Sequence, residues 1–455
     1  MASDADDDRP GEDESGSAGK PGDEPSATPN PFAGTPLESL FGAMGPGQMP
    51  DLQQLMGQVQ QLLTPHEGNI NWDLAGQVAR QTLTKEPDPS VTGAQRARIA
   101  DAARLAEHWL DDVTDLPSGA STVEAWSRAE WIEATRPTWQ RLVEPIADNV
   151  VRAMGEAMPA EAQQMAGPLI GILNQVGGAM FGQQVGQALG ELAGEVVGTT
   201  DVGLPLTESG TAALLPANVA EFGSGLAQSD EDILLYLALR EAAHHRLFSH
   251  VPWLRGALFG AVEEFGRGTS IDVSKIEDQL GRLDPTNPEA MQEALSGGLF
   301  EPERTPTQQT ALNRLETLLA LVEGWVDEVV TQATKDRMPT AGPLREAVRR
   351  RRAAGGPAEQ TFASLVGLEL RPRRLRDASN LWAALRDAKG SSARDAVWAH
   401  PDLMPGASDL DDPLGYVQSD RDSTAEIGDA AFDEALTRLL EEGEPPEDGG
   451  DDSKP

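Results

Sequence analysis

The spacing of apolar residues predicts a chain that is built mainly from α-helices. Between residues 71 and 398 apolar positions recur every three or four residues, as on one face of a helix, and the alternating pattern of a half-buried strand is scarce. We predict helices from Thr92 to Leu110, around Val123, Trp126 and Trp131, from Trp139 to Met154, over 163–198, over 229–249, over 306–333, and in shorter pieces within 271–295 and 345–398. The predicted fold class is mainly α.

Glycine recurs every fourth residue in the segment 163–198, at positions 178, 182, 186, 190, 194 and 198. On a helix these glycines form one stripe. Each costs roughly 1 kcal/mol of helix propensity relative to alanine, so we expect a neighbouring helix backbone to approach the stripe closely. A membrane span is the alternative. Gln183, Glu191 and Glu195 interrupt the apolar run, which favours a buried central helix and no membrane span.

The best candidate for strand structure lies between this helix and the next one. Turn-forming Gly, Pro, Thr and Ser residues surround two short apolar runs, 202–206 and 212–216. We predict one short hairpin or edge strand there, and therefore at most a small β-sheet in the whole fold.

Composition divides the chain into a folded body and two acidic tails. The predicted regions are a disordered tail over 1–31, a linker with short helices over 32–68, a helical domain over 69–408, and an acidic, disordered tail over 409–455. Residues 427–440 of the second tail carry an apolar stripe and predict a short amphipathic helix. This helix would dock on a partner protein or on the arginine-rich segment 345–376, unless the tail only keeps the protein soluble.

Charge and cysteine content exclude several classes of function. The net charge is −38, with nine acidic and two basic residues in 1–30 and sixteen acidic and three basic residues in 409–455. Because nucleic-acid binding relies on cationic contacts to phosphate, we expect no nucleic-acid partner. The chain has no cysteine, which excludes disulfides, thiolate metal sites and cysteine nucleophiles. No basic segment followed by an apolar run opens the sequence, so a cytoplasmic location is expected.

The segment 229–253 holds three of the six histidines and most of a zinc-protease motif. Residues 240–244 read Arg-Glu-Ala-Ala-His, which is H-E-x-x-H with arginine in place of the first histidine. In that motif two histidines one helical turn apart bind zinc, and the glutamate acts as general base. Glu241 is therefore the candidate base and His244 the candidate zinc ligand, whereas Arg240 cannot bind a metal.

A catalytic zinc needs three protein ligands, and the other candidates lie further along the chain. His250 lies beyond the expected end of the helix and could fold back toward the site. In the helix over 306–333, Glu316 and Glu323 border one apolar row, so either could supply a ligand from a second helix. The alternative is that both glutamates flank the helix and face arginines or water.

A purely structural interpretation of the motif competes with the zinc site. Glu241 and His244 share the apolar face of their helix, and an unpaired buried carboxylate is costly. Glu241 could therefore pair with Arg240 or Arg246, or accept a hydrogen bond from His244 or His245. Arg240 could form an ion pair with Glu241 or with a facing glutamate, so that a fixed cation replaces the charge of the metal.

Nine arginines between residues 345 and 376 form a basic cluster in an otherwise acidic protein. They are Arg345, Arg349, Arg350, Arg351, Arg352, Arg371, Arg373, Arg374 and Arg376. The cluster could hold an anionic partner or one of the acidic tails. The alternative is a solvated face with intramolecular ion pairs.

Four stretches of the sequence resemble an actinobacterial family of zincin-like proteins. They are 71–75, 239–254, 315–327 and 395–402, and the resemblance covers about 70–415. Members of that family are labelled zinc-dependent metalloprotease or hydrolase, and they are related to proteins associated with deazaflavin coenzyme biosynthesis. The resemblance implies a mostly helical zincin-like core, a Zn cofactor and a peptide or protein substrate, with Glu241 as general base and His244 as zinc ligand. The alternative function is a non-catalytic zincin-like protein that binds partners through its cleft or its acidic tails.

Overall fold

Helices form nearly all of the regular structure, as the apolar spacing predicts. The computed structural model of the chain describes residues 68–85, 87–156, 167–267, 305–353 and 374–418. In chain order, helices α1 to α12 are Trp72–Leu83, Gly93–Leu110, Arg128–Glu156, Gly167–Glu195, Pro216–Gly223, Asp230–His250, Pro252–Arg267, Pro306–Thr334, Ala341–Ala353, Leu375–Lys389, Ser391–Ala396 and Ala407–Asp411. The described residues also form strands β1 (Thr122–Ala125) and β2 (Thr211–Leu214), short 3-10 helices at Val397–Ala399 and Pro401–Leu403, and a helical segment over 413–418. The predicted fold class, mainly α with a small β-sheet, is confirmed.

The sheet corrects one prediction and decides between the alternatives of another. The segment around Val123 was predicted as part of a helix with Trp126 and Trp131, but residues 122–125 form β1, and α3 begins only at Arg128. A strand is present within the region 202–216, and of the two predicted forms, hairpin or edge strand, it is an edge strand, because β2 pairs in parallel with β1. The pairing is between segments that are distant in sequence, so the local pattern could not indicate the partner.

Helix α6, which carries the histidines, lies at the centre of the fold. It packs against α2, α5, α7, α8, α9 and β2. Ser229 caps its N-terminus by accepting a hydrogen bond from the Asp232 backbone, and the helix ends at His250, one residue later than predicted. Every residue from Ile233 to Phe248 is buried except Leu235, which is half-buried. Because α6 is enclosed on all sides, its charged residues must find partners inside the protein.

Part of the glycine stripe of α4 lies against the backbone of α1, which confirms the predicted close approach, whereas the face with Gln183, Gln187 and Glu191 is exposed, so α4 is not buried on all sides. A methyl group added at Gly182 or Gly186 would overlap the carbonyl oxygen of Asn71 or Ala75. At Gly190 the added carbon would lie 2.6 Å from Cβ of Thr82. The loss in helix propensity is therefore offset by contact between the two helices.

We expect Gly186→Ala to lower the free energy of unfolding by about 1–3 kcal/mol, because the methyl group would push α1 and α4 apart. Gly194→Ala is the matched control on the same helix, since an added carbon there meets no atom within 4 Å. That control should leave stability unchanged or raise it by up to about 1 kcal/mol through better helix propensity. Urea unfolding of both variants measures the difference, and equal effects would contradict the packing argument.

Several predicted segments lie outside the described residues. They are the tail over 1–31, nearly all of the linker over 32–68, the helix within 271–295, and the tail beyond residue 418 with its segment 427–440. Among the helices that the structure does describe, none combines the length and the apolarity that crossing a bilayer requires.

Candidate functional site

Residues 240–244 of α6 meet α8 in a buried ion-pair cluster. Glu323 of α8 is fully enclosed, with no exposed side-chain surface. Its Oε2 lies 2.6 Å from Nη2 of Arg240, and its Oε1 lies 3.1 Å from Nε2 of His244. Arg240 and His244 are one helical turn apart, so both side chains reach the same carboxylate. The predicted ion pair between Arg240 and a facing glutamate is therefore present, and its partner is Glu323.

A second guanidinium, that of Arg352, comes from α9. Nη2 of Arg352 lies 2.6 Å from Oε1 of Glu323, and the Arg352 side chain is only 10% exposed. Burial raises the pKa of Glu323, but Arg352, His244 and Arg240 together outweigh it and hold that pKa well below its usual range. Glu323 is therefore a carboxylate whose two oxygens are both occupied by cationic donors.

The ring of His244 is oriented by hydrogen bonds from both nitrogens. Nδ1 lies 2.8 Å from the backbone carbonyl of Arg240, which can only accept a hydrogen bond. Nε2 faces the Glu323 carboxylate, which is also an acceptor. The two contacts together fix the orientation of the ring between α6 and α8. Phe248 stacks on the ring one turn further along, with centroids 6.1 Å apart.

Glu241 of α6 belongs to a second buried cluster, in which its carboxylate contacts the loop that follows α4. Oε1 accepts a hydrogen bond from the Thr199 backbone at 2.9 Å and another from its hydroxyl. Oε2 accepts from the Thr200 hydroxyl at 2.6 Å and its backbone at 3.3 Å, and Nε2 of His245 lies 3.3 Å from Oε1. Burial raises the pKa of Glu241, but the hydrogen bonds from His245, Thr199 and Thr200 hold it below its usual range.

The small sheet positions this second cluster. Gly198 forms a bridge with Leu214 of β2, and the Thr199 backbone donates to the Ala213 carbonyl at 3.2 Å. A carbon added at Gly198 would lie 2.5 Å from Oε2 of Glu241, so the carboxylate sits directly against the backbone. Contact with β2 therefore fixes the loop that holds Glu241.

Two other candidate ligands lie elsewhere. His250 is exposed at the end of α6, and its Nε2 lies 3.1 Å from the Ser118 carbonyl rather than folding back. Glu316 is half-buried on α8, two turns before Glu323. It is Glu323 that the structure brings to Arg240 and His244.

Sequence reasoning did not single out Thr199, Thr200 or Asp201 as site residues, and it placed Arg352 only in a general basic cluster. A signal for the threonines was present: Gly198-Thr-Thr-Asp follows the glycine-rich helix directly, and such small polar residues in a turn offer both hydroxyl and backbone donors. Nothing in the local sequence indicates that Arg352 would reach Glu323.

Comparison with known proteins shows to which family this chain belongs. Residues 70–417 match the model of the zincin-like metallopeptidases. The chain belongs to the zincin-like metallopeptidase family. A crystal structure described as "a putative hydrolase with a novel fold from Chloroflexus aurantiacus" is similar at a TM-score of 0.54 and 22% identity, over 77% of this chain and 99% of that one. This likeness shows a shared fold. No curated protein matches the chain.

Zinc is the metal that membership of the zincin-like family implies, and the residues of this chain do not fit it. A guanidinium occupies the position of the first ligand and binds the glutamate that would be the ligand from α8. The same glutamate also binds Arg352. Among the described residues, no group of three or more His, Asp or Glu side chains is arranged to hold a metal ion. A zinc ion would have to displace Arg240 and Arg352, which already balance the negative charge of Glu323.

The lowered carboxylate pKa values predict how stability depends on pH. The folded pKa of Glu323 and of Glu241 lies below the unfolded value of about 4.3. Their contribution to the free energy of unfolding is therefore complete above about pH 4.3 and is lost as pH falls through it toward the folded pKa. We expect the stability difference between the wild type and Glu323→Gln to shrink by about 2 kcal/mol between pH 7 and pH 3. Urea unfolding at both pH values checks this, and a constant difference would contradict it.

Proposed function

We propose that this member of the zincin-like family acts by binding a partner and not by zinc-dependent hydrolysis. The observation that carries the proposal is the 2.6 Å ion pair between Arg240 and Glu323, at the place where an H-E-x-x-H motif has its first zinc ligand. An arginine remains charged at any physiological pH and has no lone pair to offer a metal. A permanent cation thus stands where a zinc-binding imidazole would be needed.

The state of Glu241 supports the same proposal. A general base must reach a water molecule with a free lone pair. Both oxygens of Glu241 accept hydrogen bonds from Thr199 and Thr200, and His245 contacts one of them as well. The side chain is also buried. Glu241 therefore serves to attach the loop after α4 to α6, a structural role that fits a protein whose function is recognition.

A zinc-dependent metallopeptidase is the second candidate, and one observation favours it besides the family. The hydrogen bond between Nδ1 of His244 and the Arg240 carbonyl is the kind of contact that orients a metal-binding histidine, with Nε2 directed toward the metal. Under this alternative His244 and Glu323 would be ligands and the substrate would be a peptide. The narrower relation to actinobacterial proteins linked to deazaflavin coenzyme biosynthesis stays a prediction.

Metal analysis of the full-length protein separates the two candidates. We expect the protein, purified without chelators and dialysed, to contain far less than one zinc per chain by mass spectrometry, and calorimetric titration with zinc chloride to give no stoichiometric binding. About one zinc per chain that is lost in His244→Ala would contradict the proposal. His250→Ala is the matched control, because His250 lies on the same helix and is exposed.

A further inference from the structure

Positive charge is in excess around the Glu323 cluster. The arginine cluster, as we define it, comprises Arg240, Arg345, Arg349, Arg351 and Arg352. In the ion pairs that these described residues form, the carboxylate partners are Glu323, Asp327 and Asp201. Five guanidinium groups thus face three carboxylates, which leaves two positive charges even without His244. This local excess stands out in a chain whose net charge is −38.

The cluster is built by two helices laid side by side. Arg345, Arg349 and Arg352 are spaced at one face of α9, and Glu323 and Asp327 are one turn apart on α8. Arg345 and Arg349 bind Asp327 at 2.5 and 2.6 Å. Asp327 also accepts from Ser379 at 2.7 Å, so its oxygens are well occupied. The carboxylates of α8 therefore have little capacity left for the remaining guanidinium donors.

One buried donor of the cluster lacks a partner within the described part of the chain. Nε of Arg349 is buried and makes no hydrogen bond there. The Arg349 side chain is 18% exposed, that of Arg352 is 10% exposed, and those of Arg345 and Arg351 are each 29% exposed, so the cluster reaches the protein surface. A buried charged donor without a partner is costly, and an anion bound at Arg349 would satisfy it.

We infer that the arginine cluster binds a carboxylate-bearing anion at the surface edge formed by Arg349 and Arg352. The planar fork of a guanidinium matches a carboxylate in a bidentate pair, and two such forks on one helix face would hold it tightly. The inference rests on the proposed binding function and names its ligand class. The carboxylate has two potential sources: one of the acidic tails of this chain, or a separate acidic molecule.

Calorimetric titration of the full-length protein with sodium succinate tests the site, in low salt and without competing anions. One succinate should bind per chain, and Arg352→Gln should weaken it by about tenfold or more, as expected for a lost charge-assisted contact. Arg349→Gln is a second variant in case the first fails to fold, since Asp327 keeps Arg345 and Ser379. Arg350→Gln is the matched control: it removes the same charge from the same helix, but its side chain is 73% exposed. Its affinity should stay within about twofold of the wild type.

Full-length variants in which the acids of 1–30 or of 419–455 are replaced by amides identify the source. If a tail occupies the site, the matching variant should bind succinate at least about tenfold more tightly than the wild type, because competition is removed. If the ligand is a separate molecule, the wild type and both tail variants should bind succinate with equal affinity. In either case Arg352→Gln must weaken binding.

The inference is overturned if none of these chains binds succinate, or if Arg352→Gln and Arg350→Gln bind it equally well. The zinc measurement stays independent of this outcome. A chain that contains zinc would contradict the proposed function, whereas the anion site depends only on the response to Arg352→Gln.

Discussion

Replacing Glu323 with glutamine should lower the free energy of unfolding by about 3–5 kcal/mol, the usual cost of removing one partner from a buried ion pair. The substitution keeps the shape of the side chain but removes the negative charge that pairs with Arg240 and His244. Arg352 would lose its carboxylate partner as well. Chemical denaturation of the variant and the wild type at pH 7 measures the change.

Glu316→Gln is the matched control for this prediction. It makes the same chemical change on the same helix, but at a half-buried position two turns away. We expect it to cost less than about 1 kcal/mol. A double variant that also carries Arg352→Gln should be less destabilised than the sum of the two single variants, because one unpaired cation has been removed. Equal costs for Glu316→Gln and Glu323→Gln would show that the buried cluster contributes little to stability.

Arg240→His should raise the affinity for zinc by about tenfold or more over the wild type. The new imidazole would stand one helical turn before His244 and opposite Glu323, so three ligand groups would meet where the fixed cation now lies. Removing the guanidinium also removes the charge that repels a divalent ion. Titration with zinc chloride, followed by calorimetry, measures the gain.

Arg240→Gln is the control for the zinc prediction. It removes the same guanidinium, and with it the charge that repels a divalent ion, but it adds no imidazole. Its affinity for zinc should stay well below that of Arg240→His. Adding His244→Ala to Arg240→His should abolish the gain, since one ligand is then missing. No gain in Arg240→His would mean that the site differs from a zincin centre by more than this one residue, against our interpretation of Arg240 as a replacement for the metal.

The sequence by itself determined the helical architecture and the position of the unusual motif. Apolar spacing and the caps at Thr92 and Ser229 define α2 and α6 closely, because helix hydrogen bonds and caps are local. The glycine stripe of α4 predicted a closely packed neighbour, since only contact could offset the loss of helix propensity. The sequence alone shows arginine at position 240, where an H-E-x-x-H motif has histidine. It does not show which carboxylate pairs with that arginine.

Only the tertiary structure decided which partners were chosen. The contact of Gly198 and Thr199 with β2 places Thr199 and Thr200 on Glu241, and packing of α6, α8 and α9 selects Glu323 over Glu316 and brings Arg352 to it. These contacts join segments far apart in the chain, and their strength depends on burial, which weakens solvent screening around each charge. Local periodicity describes one helix face at a time, so it cannot specify which carboxylate meets which cation across a helix interface.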